Sequence, residues 1–235
     1  MYELETGQYD TPNGRRLTFH YRTGTNDHNT LWSSLNEDEY HLRGEHYTGT
    51  ALDVGGYLGS VGIALAADNR DLRVVIVEPV PPNADLIERN IAANGVGDRV
   101  SLIRGAVGKG GESVDVWYGY RGSEAAEHHA FVGNSTLAYD ESATWAHDTT
   151  TYTAIGLADI VDEHGPLSFL KVDTEGAEWA FLDSPAVKDV ETIVGEWHPV
   201  RDHTMGDLLA LLEDTHVVTF DGPQAGPGGF RAVRR

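Results

Sequence analysis

The sequence predicts an α/β fold: a doubly wound, mostly parallel, Rossmann-like sheet with an antiparallel strand near the C-terminus and an N-terminal cap. Three observations support this prediction. From residue 50 onward, short apolar runs rich in β-branched residues alternate with segments of helical periodicity. A glycine-rich turn joins the first of these strands to the first helix. A loop rich in glycine and proline separates the last two strands, which indicates a hairpin.

The first 48 residues are polar and rich in turn-forming residues. Leu17, Phe19 and Tyr21 alternate with polar neighbours, a pattern typical of a short strand or hairpin arm. Residues 27–36 predict a short helix. We interpret residues 1–48 as a cap that packs across the sheet or over a ligand cleft, and residues 49–235 as one ligand-binding domain.

The later elements follow at regular intervals along the chain. The predicted helices are 61–67, 83–94, 157–164, a short one beginning near residue 176, and 205–212. The predicted strands after the glycine turn are 72–77, 100–103, 169–172, 192–197, 216–220 and 230–233. Thr204 and Asp207 stand at capping-box spacing before the last helix. Residues 105–155 interrupt the alternation and predict an inserted hairpin near the cleft.

The glycine-rich turn spans Asp53 to Ser60. Its glycines are spaced G-G-x-x-G, and Tyr57 stands where the dinucleotide fingerprint G-x-G-x-x-G has its second glycine. A carboxylate before the turn repels a pyrophosphate and attracts a cationic amine. The motif therefore favours a ligand such as S-adenosylmethionine (SAM), although a strand-to-helix turn with no ligand fits the same pattern.

The composition excludes several classes of function. The chain has 235 residues, of which 40% are hydrophobic and 23% charged, as in ordinary globular domains. It has no cysteine, which excludes disulfides, zinc–thiolate sites and thiol catalysis. A net charge of -20 disfavours nucleic acid and anionic membranes as partners. The sequence shows neither a signal pattern nor a membrane-length apolar run, so we expect a cytoplasmic protein.

Acidic residues lie at or near the carboxyl ends of four predicted strands, namely Asp53, Glu78, Asp173 and Glu196. Ligands of open α/β sheets bind at this edge, and burying a carboxylate without a partner is costly. The four acids therefore predict a polar ligand cleft. Glu78 stands about twenty residues after the turn, where an acid binds a ribose diol. Ala106 and Val107 are candidate walls for an adenine, or ordinary core residues.

The run from Phe169 to Glu178, FLKVDTEGAE, resembles the K-x-D-x-E-G-x-E stretch of the FkbM-type SAM-dependent methyltransferases. The other segments that agree in order are Asp53-Val54-Gly55 with Gly59, Val77-Glu78-Pro79 with Asn83, Leu157-Ala158-Asp159-Ile160, and Glu196-Trp197-His198. The resemblance extends from Leu31 to the C-terminal strands. The family usually has D-V-G-A-N-I-G at the turn, and Tyr57 replaces its asparagine.

The resemblance implies a class I methyltransferase fold, SAM as cofactor and, usually, a hydroxyl oxygen as acceptor. In-line methyl transfer depends on alignment, and an alcohol must also lose its proton. The candidate catalytic residues are Asp173, His198 and Glu175, with Asp173 facing the methyl group. Two of these residues also fit a purely structural role. His198 can be a strand-end histidine paired with Glu196, and Glu175 can be an acid that suits the start of a helix.

The site predictions can be stated residue by residue. The predicted cofactor-binding residues are Asp53, Gly55, Gly56, Tyr57, Gly59, Ser60, Glu78, Pro79, Ala106, Val107 and Asp173. Asp53 acts either through the amine of the cofactor or through the amides of its own turn. The predicted acceptor-binding residues are Asn134, Ser135, Thr136 and Trp197. A divalent metal held by Asp173, Glu196 and His198 is a weaker alternative to a metal-free site.

The sequence thus predicts SAM-dependent O-methylation of a small hydroxylated molecule, such as a sugar, a polyketide or macrolide, or another secondary metabolite. A nicotinamide-dependent Rossmann oxidoreductase is an alternative that the missing G-x-G-x-x-G disfavours. A non-catalytic domain that keeps the fold is a third hypothesis. Neither nucleic acid nor a membrane is expected as a partner, and a homo-oligomer is left open.

Overall fold

The structure, a computed structural model, describes residues 3–121, 130–135, 148–200, 203–221 and 228–235. The strands are β1 (Leu4–Asp10), β2 (Arg16–Arg22), β3 (Gly49–Val54), β4 (Leu72–Glu78), β5 (Val100–Arg104), β6 (Ser113–Arg121), β7 (Ala130–Ser135), β8 (Asp148–Thr153), β9 (Leu167–Val172), β10 (Thr192–Trp197), β11 (His216–Asp221) and β12 (Gly228–Arg234). The α-helices are α1 (Asp27–Leu35), α2 (Ser60–Asp68), α3 (Pro81–Asn94), α4 (Leu157–His164), α5 (Glu178–Leu182) and α6 (Met205–Leu212).

A seven-stranded sheet forms the centre of the molecule, in the order β11-β12-β10-β9-β3-β4-β5. Every pair in it is parallel except those made by β12, which runs antiparallel to β10 and to β11. The predicted doubly wound class I methyltransferase fold is confirmed. The antiparallel strand is not at the edge, because the final hairpin inserts β12 between β10 and β11.

The strand order reverses at β3, whose neighbours are β4 on one side and β9 on the other. The chain leaves the carboxyl ends of these strands in opposite directions, which opens a crevice at this edge of the sheet. Asp53, Glu78 and Asp173 stand at the carboxyl ends of β3, β4 and β9, respectively. The topology therefore brings together acids that are far apart in the sequence.

Local sequence explains where the elements begin and end. Strand β4 has the sequence LRVVIVE, and its β-branched side chains are buried as a central parallel strand requires. Pro81 opens α3, where its missing N–H has no helical partner to lose, and Gly95 ends it with φ 62°. The predicted capping box at the start of α6 is confirmed, since Thr204 and Asp207 bond each other's backbone amides.

Two apolar clusters cover the two faces of the sheet. Alternation along β3 sends Ala51 to one cluster and Leu52 and Val54 to the other. The first cluster contains residues of α1, α2, α3 and the β1–β2 hairpin, whereas the second contains residues of α4, α5 and α6. Helices on both faces leave the carboxyl edge of the sheet as the exposed region where a ligand can bind.

The N-terminal segment packs against the helices on the first face. The side chains of Asn90 and Asn94 in α3 accept hydrogen bonds from the amides of His20 and Thr18 in β2, at 2.7 and 2.9 Å. Helix α1 packs against α2. This segment reaches the rim of the crevice, as expected of a cap.

The interruption predicted for residues 105–155 contains a three-stranded antiparallel sheet in the order β7-β6-β8. Val116 in β6 lines the crevice, and the hydroxyl of Tyr152 in β8 donates to the carbonyl of Pro79 at 2.5 Å. The insertion therefore adds one wall to the crevice. Within the described ranges, no helix is long and apolar enough to cross a membrane.

Candidate active site

A cavity of about 360 Å³ lies in the crevice at the carboxyl ends of β3, β4 and β9. Its volume is typical of a site for a small molecule or cofactor. The predicted site residues that line it are Asp53, Gly55, Gly56, Tyr57, Ser60, Glu78, Pro79, Ala106, Val107, Asp173 and Glu175. The cap contributes Asn26, Thr30, Ser34, Glu39 and Tyr40. One cavity thus joins the glycine turn, the strand-end acids and the cap.

The glycines of the turn allow the chain to pack closely against itself. A Cβ added to Gly55 (φ 73°) would lie 1.8 Å from the carbonyl oxygen of Asp173, and one added to Gly56 would lie 2.3 Å from Ile76 Cγ2. Gly59, with φ 78°, occupies the N-cap position of α2. A side chain at Gly55 would push the turn away from the end of β9, and one at Gly56 would push it away from β4.

Asp53 is 1% exposed and is engaged within the protein. Its Oδ2 accepts a hydrogen bond from the amide of Gly62 at 2.8 Å, and its Oδ1 lies 3.6 Å from Lys171 Nζ. Burial raises the pKa of the Asp53 carboxyl, while Lys171 and the Gly62 amide act in the opposite direction. The sequence left two partners open for Asp53, the amine of the cofactor and the amides of the turn. The structure shows a hydrogen bond from the amide of Gly62, which lies in α2 just after the turn.

Lys171 also lines the cavity, and it is one of the site residues that the sequence analysis missed. Its ammonium group donates to the carbonyls of Gly55 at 2.6 Å and Val54 at 3.2 Å, and it lies 3.7 Å from Asp173 Oδ2. Burial alone would lower the pKa of Lys171, but Asp173 and Asp53 raise it above its ordinary value. The signal in the sequence was the lysine two places before Asp173, on the same face of a buried strand.

Glu78 presents its carboxylate to the cavity while bonding two backbone amides. Oε2 accepts from the amide of Tyr57 at 2.8 Å, and Oε1 from that of Val80 at 2.9 Å. Burial raises the pKa of Glu78, and these amides oppose the shift. Oε1 also accepts from the side-chain amide of Asn83 at 3.3 Å, so its two lone pairs are engaged. Oε2 keeps one lone pair that can accept a hydrogen bond from a ribose hydroxyl. Ala106 and Val107 add apolar walls to the same cavity.

Tyr57 joins the glycine turn to the cap. Its backbone has φ 51°, a left-handed conformation that asparagine tolerates better than tyrosine. Its hydroxyl donates to Asp27 Oδ1 at 2.6 Å, and the guanidinium of Arg22 lies 5.5 Å from its ring centre. Arg22 and Asp27 form an ion pair of 2.8 Å that is almost fully buried. These contacts with the cap explain why this chain departs from the usual asparagine.

We expect Tyr57→Phe to lower the free energy of unfolding by about 1–2 kcal/mol, because it removes a hydrogen bond to a buried carboxylate. Urea denaturation measures the effect. The matched control is Tyr21→Phe, which removes a hydroxyl that bonds Glu5 at the protein surface at 2.9 Å. If both variants lose the same stability, the Tyr57–Asp27 contact does not hold the cap.

A second group of polar residues lies around Asp173. Its Oδ2 accepts a hydrogen bond from the hydroxyl of Tyr40 at 3.1 Å. Burial raises the pKa of Glu196 to about 7, and repulsion from Asp173 adds to this shift. Burial alone would lower the pKa of His198, but its hydrogen bond to Glu178 raises it to about 9. Glu196 lines the cavity, and His198 lies beside it with Nε2 3.7 Å from Glu196 Oε2.

The acids of the K-x-D-x-E-G-x-E stretch differ in their positions. Glu175 lines the cavity and has φ 54°. Glu178 is fully buried and accepts hydrogen bonds from the hydroxyl of Thr174 and the amides of Gly176 and His198, at 2.8 to 2.9 Å. Glu178 therefore fixes the loop that carries Glu175 and the segment that carries His198.

The structure does not bring every predicted residue to the cavity. Trp197 is 2% exposed and packs in the second apolar cluster, because alternation along β10 turns it away from the face of Glu196. The prediction that it contacts the acceptor is thereby corrected. Asn134 and Ser135 belong to β7, but the structure does not describe their side chains, and Thr136 lies outside the described residues.

The chain is similar in sequence to known methyltransferases. Residues 53–216 match the methyltransferase FkbM domain. The O-methyltransferase imqG of Aspergillus flavus is 41% identical over 56 residues, which are 24% of this chain and 23% of that protein. The match thus spans less than a quarter of the relative's length.

Among solved structures, the precorrin-6y C5,15-methyltransferase of Geobacter metallireducens has a TM-score of 0.47 and 13% identity, over 86% of this chain and 88% of that one. TrmK of M. capricolum, solved with S-adenosyl-homocysteine, has a TM-score of 0.45 and 8% identity, over 81% of this chain and 64% of that one. Such distant similarities carry no information on substrate. The domain match, in contrast, covers more than half of the chain, and the chain therefore belongs to the FkbM methyltransferase family.

Proposed function

We propose that this protein transfers the methyl group of SAM to a hydroxyl oxygen of a small-molecule acceptor. The observation that carries the proposal is that one cavity contains both the glycine turn with Glu78 and the pair Asp173 and Glu196. The first set suits the cofactor, and the second suits a hydroxyl group that must be oriented and deprotonated. The name of the fungal relative, an O-methyltransferase, supports the same reaction.

The residues that would hold SAM are those of the turn, with Glu78 at the ribose and Ala106 and Val107 at the adenine. When bound, SAM supplies an electrophilic methyl group on a sulfonium. The chain places the hydroxyl for in-line attack, and such positioning contributes on the order of 7–11 kcal/mol. The cap residues Glu39 and Tyr40 form the wall nearest Asp173 and complete the acceptor side of the cavity.

The acceptor proton leaves toward the polar group of Asp173, Glu196 and His198. A placed base of this kind accelerates a reaction roughly a hundredfold to ten-thousandfold. The same carboxylates repel a phosphodiester backbone, and the net charge of -20 adds to that repulsion. The acceptor is therefore an uncharged or cationic hydroxylated metabolite, such as a sugar or a polyketide.

The test uses SAM with a labelled methyl group and a panel of hydroxylated small molecules. We expect label on an oxygen atom of one class of acceptor, and a loss of turnover of about a hundredfold or more in Asp173→Asn. Binding of S-adenosylhomocysteine, measured by calorimetry, should change only a few-fold in this variant, since Glu78 and the turn are intact. Transfer to nitrogen, or full activity of Asp173→Asn, would refute the proposal.

A further inference from the structure

We infer that Asp173, Glu196 and His198 bind a divalent cation of the Mg²⁺ or Mn²⁺ type, with Glu178 holding the imidazole in place. The inference deepens the proposed function, on which it depends only for the ion's part in methyl transfer. From the sequence alone, a metal at these three residues is only a weaker alternative to a metal-free site. The additional support in the structure is Glu178, which orients the imidazole of His198.

The three side chains converge on one point beside the cavity. One potential ligand atom from each lies within 4.8 Å of the other two. Glu196 Oε2 and His198 Nε2 are 3.7 Å apart. With bonds of about 2.1 Å in an octahedron, adjacent ligand atoms are about 3.0 Å apart and opposite ones about 4.2 Å. Small side-chain rotations are therefore enough to place all three ligands on one ion.

Glu178 orients the imidazole as a second-shell carboxylate does in metal sites. His198 Nδ1 lies 2.9 Å from Glu178 Oε1, and because a carboxylate only accepts, the proton of this bond is on Nδ1. Nε2 faces Glu196, and its lone pair becomes available to an ion when the ion displaces the second ring proton. Histidines that ligate metals almost always donate their other ring N–H to a carboxylate or a carbonyl. The indole of Trp179 also donates to the carbonyl of His198, at 2.8 Å.

The charge around this point favours a cation. Glu39, Asp173 and Glu175 each repel the Glu196 carboxylate. Lys171 approaches from the other side of Asp173, but its ammonium bonds the carbonyls of Gly55 and Val54. It therefore neutralises only part of the negative charge.

The two carboxylates suit a hard ion such as Mg²⁺ or Mn²⁺, and the imidazole favours Mn²⁺ of these two. Both ions retain water molecules that an acceptor hydroxyl can replace. A divalent ion at this point lowers the pKa of such a hydroxyl. With the ion bound, Asp173, Glu196 and His198 would act as its ligands rather than as the base, and the acceptor O–H bond would break with its proton passing to a water molecule. The O–CH₃ bond forms as the bond from sulfur to methyl breaks, which leaves S-adenosylhomocysteine.

Mn²⁺ titration followed by electron paramagnetic resonance tests the site in the full chain after treatment with EDTA and desalting. We expect saturable binding of one Mn²⁺ per chain. Glu196→Gln and His198→Gln should weaken it at least tenfold, and Glu178→Gln about tenfold to a hundredfold through lost orientation of the ring. The matched control is His41→Gln, which removes an exposed histidine that lies 2.9 Å from Asp221, and its affinity should equal that of the wild type.

Thermal melts identify any variant that fails to fold, and the remaining variants then decide the result. Absence of saturable binding to the wild type, or equal affinity in Glu196→Gln, His198→Gln and the wild type, overturns the inference. Methyl transfer that continues in EDTA overturns the ion's part in the reaction and leaves the proposed function intact. Mn²⁺ binding without any S-adenosylhomocysteine binding would support the metal site and refute the proposed function.

Discussion

Replacing Lys171 with methionine is expected to lower the free energy of unfolding by about 3–5 kcal/mol, the usual cost of removing one partner of a buried ion pair. Asp53 is 1% exposed, and without the ammonium group its Oδ1 has no compensating charge at 3.6 Å. The carbonyl of Gly55 loses its ammonium donor at the same time, whereas that of Val54 keeps the backbone amide of Asp173. Methionine keeps the length of the side chain, so the loss reports charge and hydrogen bonding rather than volume.

Urea denaturation measures this change, with Lys109→Met as the matched control. Lys109 pairs with Asp183 at 2.6 Å on the protein surface, where solvent screens the pair, so its unfolding free energy should stay close to that of the wild type. Equal effects of the two substitutions would show that Asp53 gains nothing from Lys171. A loss confined to Lys171→Met would identify this residue as the support of the glycine turn.

Glu78→Gln is expected to weaken binding of S-adenosylhomocysteine about tenfold to a hundredfold. Hydrogen bonds to a charged group contribute about 1.5–3 kcal/mol, and the amide offers a ribose diol one neutral acceptor instead of a carboxylate. The substitution preserves side-chain size, although its NH₂ group replaces an oxygen that accepts a backbone amide, so part of the loss comes from the turn. Isothermal titration calorimetry gives the dissociation constant directly, without requiring an acceptor.

Glu88→Gln is the control for this measurement. Glu88 stands on the exposed side of α3, 2.9 Å from Arg104, and its loss removes the same charge from the same region without touching the cavity. A thermal melt of both variants separates lost affinity from lost folding. Unchanged affinity in Glu78→Gln would place the ribose elsewhere in the cavity.

Much of the fold could be predicted because it depends on local patterns. The β-branched run of β4, the glycine after α3 and the capping box of α6 each specify an element from a few neighbouring residues. The meeting of Asp53, Glu78 and Asp173 was also predictable, since carboxyl ends of parallel strands share one edge of the sheet.

The remaining features depend on contacts between segments distant in the sequence. Tyr40 reaches Asp173 across 133 positions, and nothing near either residue indicates that pairing. The direction in which Trp197 points depends on which face of β10 is turned toward the core. The position of β12 between β10 and β11 follows from how the final hairpin docks. Patterns of hydrophobicity identify such strands but do not order them.

The contact between Tyr57 and Asp27 couples substitutions in the glycine turn to substitutions in the cap. The hydroxyl of Tyr57 satisfies a carboxylate of the cap, while its amide satisfies Glu78. An asparagine at position 57 would ease the backbone but leave Asp27 with one donor fewer. The effects of substitutions at the two positions on stability are therefore expected to be non-additive.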